Sequence, residues 1–242
     1  MIRPCLATFL AVAVILAPDG NASPPNIVLF LVDDLGWQDT SVQLWSSRTP
    51  QNDHFHTPAL EQLAAHGVRF VNAYACTVCS PTRTSLMTGQ NAARHGVTNW
   101  TLYADRETSS VTPRLRAPDS WNRSGLQPGA PTLPSLLRDQ LGYRTIHVGK
   151  AHWGAFDTKG ADPKALGFDV NIAGHPAGGP GHYHGSENYG NEPSGEPRLP
   201  WGIPGLEKYH GTDRHLSDAL TDEAILAVAE AVDQDKPFFL YM

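Results

Sequence analysis

Asn26-Ile27-Val28-Leu29-Phe30-Leu31-Val32-Asp33-Asp34 is the stretch that decides the fold. Its apolar run is unbroken and rich in β-branched residues, the pattern of a strand buried on both faces of a parallel sheet. Asp33 and Asp34 close the run at its carboxyl end, where open α/β sheets bind their ligands. Downstream, Thr57-Pro58 predicts an N-cap with proline at the first helical position. Leu60, Leu63 and Ala64 then fall on one face, and Gly67 stops the helix. Val68 to Ala73 reads as a second strand.

The alternation recurs further along the chain. Thr132 to Leu141 predicts a helix stopped by Gly142, and Tyr143 to Val148 a strand that ends at Gly149-Lys150. Residues 154–213 are rich in Gly, Pro and His and read as long loops above the sheet. Ser217 to Val232 is helical in pattern, with Ile225, Val228, Ala229 and Val232 on its apolar side. Phe238 to Tyr241 begins another buried strand. The expectation is that this strand, with the chain ending at Met242, lacks flanking partners and a covering helix, so that the domain is incomplete at its C-terminus.

Composition narrows the class. The chain has 242 residues, 40% of them hydrophobic and 17% charged, which fits a globular protein and excludes collagenous, coiled-coil and disordered chains. Lys plus Arg number 18 against 24 Asp plus Glu, a net charge of −6, so the broad positive field that binds nucleic acid is missing. Arg3, the apolar run Leu6 to Leu16 and the small residues of Gly20-Asn21-Ala22 form a signal peptide over 1–22, leaving 23–242 as the mature domain. The run is too short to cross a bilayer, so the expected location is secreted or periplasmic, without stable membrane insertion. Cys76 and Cys79 alone remain after cleavage, too few for a disulfide framework.

The chemistry is concentrated in Cys79-Ser80-Pro81-Thr82-Arg83-Thr84-Ser85-Leu86-Met87-Thr88-Gly89. A cysteine at a helix start sits in the positive end of the helix dipole, and an arginine four residues on shares its face. The guanidinium supplies a permanent forked donor set, so the pair suits an anionic substrate. Cys76-Thr77-Val78-Cys79 also has the spacing of a redox pair, but that leaves Pro81, Arg83 and Lys150 unexplained. His182 and His184, with His175 nearby, sit in a glycine-rich loop without fixed zinc geometry.

Cys-x-Pro-x-Arg followed by Thr-Gly, downstream of a strand ending in Asp-Asp, resembles the formylglycine-dependent sulfatases. Gly149-Lys150-Ala151-His152-Trp153-Gly154 and Asp235-Lys236-Pro237-Phe238-Phe239-Leu240-Tyr241 are similar to further segments of that family, in the same order. The resemblance implies an α/β, alkaline-phosphatase-like fold, a mixed and mostly parallel sheet between helices. It implies hydrolysis of an organic sulfate monoester, with Cys79 converted to formylglycine by a maturation enzyme. One hydroxyl of the hydrated aldehyde attacks sulfur and the other expels sulfate. Asp33, Asp34 and the gem-diol formed from Cys79 would hold Ca2+, Arg83 would orient the gem-diol, Lys150 would contact sulfate oxygens, and His152 would hydrogen-bond the collapsing hydroxyl. The substrate would be a sulfated small molecule or sulfated carbohydrate. The family's later calcium ligands, substrate-binding histidine and acid lysine are expected beyond Met242. Phosphomonoester or phosphonate-ester hydrolysis within the same superfamily, or a catalytically inactive fragment, are the alternatives.

Overall fold

The computed structural model describes residues 23–106 and 118–242; the predicted signal peptide and its cleavage point after Ala22 lie outside them. Four strands, β1 (Ile27–Leu29), β2 (Arg144–Val148), β3 (Val170–Ile172) and β4 (Phe238–Tyr241), form one sheet in the order β1-β4-β2-β3. All three ladders are parallel. The helices α1 (Pro58–His66), α2 (Cys79–Thr88), α3 (Ala92–His95), α4 (Leu133–Leu141) and α5 (Leu216–Asp233) complete an α/β architecture.

The period-two alternation of β4 sorts its side chains between two cores. Phe239 and Tyr241 join Met87 of α2, Leu137 of α4, Trp153 and Phe168 on one face. Phe238 and Leu240 pack with Ile146 and Val148 of β2 against Ala224, Ala227 and Ala231 of α5 on the other. Each fully buried phenylalanine contributes about 2–3 kcal/mol through area removed from water. β4 also pairs with β1 on one side and β2 on the other, so the expectation of an unflanked, uncovered last strand is corrected. Its hydrogen-bond partners and its covering helix all precede it in the sequence.

Local chemistry sets the predicted helix bounds. Thr57 and Gly67 flank α1, while Thr132 caps α4 by accepting from the Ser135 N–H at 3.2 Å and Gly142 ends it in the left-handed region. Other expectations fail for reasons of packing. Residues 68–73 form no strand, and Phe70 is 78% exposed, because no neighbouring strand pairs with their backbone. β1 is an edge strand shorter than the apolar run, and Phe30 is 61% exposed. α5 turns its alanines to the sheet, with Val228 of the predicted face packed beside them, and leaves Ile225 61% and Val232 58% exposed, because small side chains let the helix lie close over Ile146 and Leu240. Within 154–213 the sequence reading missed β3, whose three residues are too few to show a period.

Candidate active site

The candidate residues Asp33, Asp34 and Lys150 follow the carboxyl ends of strands, and Cys79 and Arg83 lie on a helix beside them. Asp33 and Asp34 follow β1, with Asp34 in the left-handed region at φ 56°. Gly149 turns the chain out of β2 at φ 94°, its N–H donating to the Ile172 carbonyl at 2.9 Å, and so delivers Lys150. Cys79 is the first residue of α2. Val78 is its extended N-cap, and Pro81 is tolerated in the first turn because an N–H there has no intrahelical acceptor. The Gly89 N–H closes the helix on the Ser85 carbonyl at 2.8 Å.

A cavity of about 800 Å³ is lined by Asp33, Asp34, Cys76, Cys79, Thr82 and Arg83, among others. Arg83 is 3% exposed, and its guanidinium donates to the Lys150 carbonyl and, at 3.3 Å, to the Tyr241 hydroxyl. Its other terminal nitrogen lies 3.7 Å from Asp33. Lys150 donates to the Asp33 carboxylate. Burial opposes the charge on Asp33, but the Lys150 hydrogen bond and the positive charges of Lys150 and Arg83 outweigh it and hold the carboxyl below its ordinary value.

His152 is 2% exposed and stands behind the cavity rather than on its wall. Its Nε2 lies 2.7 Å from the Thr101 carbonyl, so Nε2 carries the proton and Nδ1 keeps a lone pair with no partner among the described residues. Burial, reinforced by the charges of Lys150 and Arg83, lowers the His152 pKa to about 4. Gly178 packs on this ring, where a Cβ would fall 2.9 Å from His152 Cε1 and 3.7 Å from Lys150 Nζ.

Of the six predicted residues, the structure thus sets Asp33, Asp34, Cys79 and Arg83 around one cavity, ties Lys150 to it through the Asp33 carboxylate, and keeps His152 buried beside it. Sequence reasoning missed Tyr241 and Gly178. Tyr241 had a signal in the strand pattern, since it shares a face with Phe239; Gly178 had none. Cys76 and Cys79 are both free thiols, and Cys76 Sγ lies 3.8 Å from Ser85 Oγ, which in turn is 3.0 Å from His95 Nε2. The Cys76 thiol is therefore directed along α2 toward its later turns.

Asp33 and Asp34 present hard oxygen donors on the cavity that Cys79 opens into, which fits part of a calcium shell. Among the described residues no group of three or more His, Cys, Asp or Glu is placed to hold a metal ion, so the two carboxylates supply only a fraction of the 6–8 oxygens that Ca2+ takes. No helix among the described residues is long and apolar enough to cross a membrane.

The sheet is parallel, with acids, a helix-start cysteine and two cations gathered toward its carboxyl edge. The chain belongs to the sulfatase family, whose sequence profile, Sulfatase, matches residues 25–242. N-acetylgalactosamine-6-sulfatase of Mus musculus is 30% identical over 238 residues, covering 92% of this chain and 39% of the relative. Arylsulfatase A of Homo sapiens is 32% identical over 242 residues, covering 91% of this chain and 40% of the relative. The solved structure of Ps i-CgsB in complex with k-i-k-neocarrahexaose superposes with a TM-score of 0.60 at 28% identity, over 90% of this chain and 44% of that one. The chain therefore spans about two fifths of the length of these curated relatives.

Proposed function

We propose that the protein is a secreted or periplasmic sulfuric ester hydrolase that cleaves a sulfate monoester of a carbohydrate. The observation that carries this reading is the grouping of Cys79, Arg83, Asp33 and Asp34 about one cavity, with Lys150 paired to Asp33, in a chain of the sulfatase family. The carbohydrate class follows the N-acetylgalactosamine-6-sulfatase relative and the relative solved with an oligosaccharide.

A maturation enzyme that converts Cys79 to formylglycine would give the site a hydrated aldehyde, whose two hydroxyls serve in turn as nucleophile and as the means of sulfate release. Asp33 and Asp34 would share in holding Ca2+, which when bound would supply Lewis-acid polarisation of a sulfate oxygen. The chain's own residues do the rest. Arg83, immobilised by the Lys150 carbonyl and the Tyr241 hydroxyl, orients the group at position 79 one helical turn away. The Lys150 ammonium meets a sulfate oxygen and stabilises its growing charge. His152 is neutral above about pH 4, and its free Nδ1 accepts a hydroxyl proton while the Thr101 carbonyl holds the ring by Nε2.

The test compares hydrolysis of an aryl sulfate and the phosphate ester of the same phenol by the full-length protein co-expressed with a maturation enzyme. Sulfate-ester turnover that a chelator removes and calcium restores is the expected result. Preference for the phosphate ester overturns it.

A further inference from the structure

We propose that Tyr241 is a positioning residue for Arg83, its hydroxyl fixing the direction of the guanidinium; this rests on the sulfatase reading above. Arg83 is buried and chooses among three acceptors. One terminal nitrogen donates to both the Lys150 carbonyl and, at 3.3 Å, the Tyr241 hydroxyl, while the other lies 3.7 Å from Asp33, the nearest anion. A neutral hydroxyl and a carbonyl together therefore keep the fork from closing fully on a carboxylate. Without the hydroxyl, the freed N–H is left in a buried place where an unpaired donor is costly, and rotation toward Asp33 is the available remedy.

Tyr241 is itself held tightly. It is 1% exposed and lies on an inner strand, paired in register with Leu29 of β1 and His147 of β2. Its ring stacks on His147 at 5.6 Å between centroids and meets Trp153 at 5.2 Å. The strand before Asp33 and the strand before Lys150 are thus both referred to the same side chain. Tyr241 does not line the cavity, so it acts through Arg83 and touches no reacting atom.

Tyr241→Phe in the full-length matured protein removes the hydroxyl and keeps the ring. With an aryl sulfate, kcat is expected to fall about tenfold to a hundredfold, as for other small misplacements of a catalytic group. KM and the unfolding midpoint should stay at the wild-type values, and a crystal structure of the variant should show Arg83 rotated toward Asp33. Wild-type kcat, an unmoved guanidinium, or a loss matched by a lowered midpoint each overturns the proposal. Should the wild-type protein hydrolyse no sulfate ester, the sulfatase reading fails, while the Arg83 position in the variant crystal still decides the role of Tyr241.

Discussion

Asp33 and Lys150 stand 117 positions apart in the sequence and form an ion pair across the carboxyl end of β4. Family resemblance gives them different partners, a cation for one and a sulfate oxygen for the other. The pairing with Lys150 helps hold the Asp33 carboxyl below its ordinary value, and each side chain fixes the other in place. Asp33→Asn and Lys150→Ala are each expected to lower turnover on the order of a hundredfold or more. Calorimetric titration with calcium separates them: Asp33→Asn loses calcium binding and Lys150→Ala keeps it. Equal calcium affinity in Asp33→Asn and wild type would remove Asp33 from the ligand set.

Cys79, and not Cys76, is expected to carry the modification. Only Cys79 has proline two residues on and arginine four residues on, and the Cys76 thiol is turned to Ser85. Peptide mass mapping after co-expression with a maturation enzyme should find an aldehyde at Cys79 and an intact thiol at Cys76. Cys79→Ser should abolish turnover without lowering the unfolding midpoint, whereas Cys76→Ser should stay active. A peptide with Cys76 and Cys79 joined would defeat the assignment.

Gly178→Ala tests the wall behind His152. The added methyl would lie 2.9 Å from His152 Cε1 and 3.1 Å from Nδ1, so the ring or the loop must shift. A displacement of a few tenths of an ångström at a proton-accepting nitrogen is expected to cost about tenfold or more in kcat. Steady-state kinetics on the variant decides this, and unchanged kcat would place Nδ1 outside the reaction.

Acid should destabilise the fold in a defined window. Burial, with the Arg83 charge assisting against two opposing hydrogen bonds, lowers the pKa of His147 from 6.5 to about 4. The unfolded chain binds this proton first, so the neutral ring's contribution is complete above about 6.5 and is lost as pH falls toward 4, by about 3 kcal/mol in total. His152 is shifted in the same direction over the same range. Urea denaturation across the window should give a stability that declines with acid, and His147→Gln should flatten the decline. A pH-independent wild type would contradict the buried neutral ring.

Much of the site was legible because its residues announce themselves locally. Asp33 and Asp34 end an apolar run, Cys79 and Arg83 share a helix face, and Lys150 follows a strand and a glycine. Caps made α1 and α4 legible to within a residue. What failed depends on partners distant in sequence. Residues 68–73 have a strand's composition but no ladder. The alanine face of α5 is chosen by the closeness of the sheet rather than by side-chain hydrophobicity. Gly178 matters only because His152 lies under it, and no pattern around position 178 encodes that.

The strand order also sets a timetable. β1 is made early, yet its ladder partner is β4, so that Ile27 waits for Phe239 and the Asn26 side chain for the Phe238 N–H. β4, one of the two inner strands of the sheet, is the last of the four to leave the ribosome, and β1 cannot join β2 before it arrives. Contacts of such long sequence separation fold slowly and leave apolar strand edges open meanwhile. In this chain Tyr241, which holds one side of Arg83, and the ladder that fixes the strand before Asp33 are both put in place only when β4 docks.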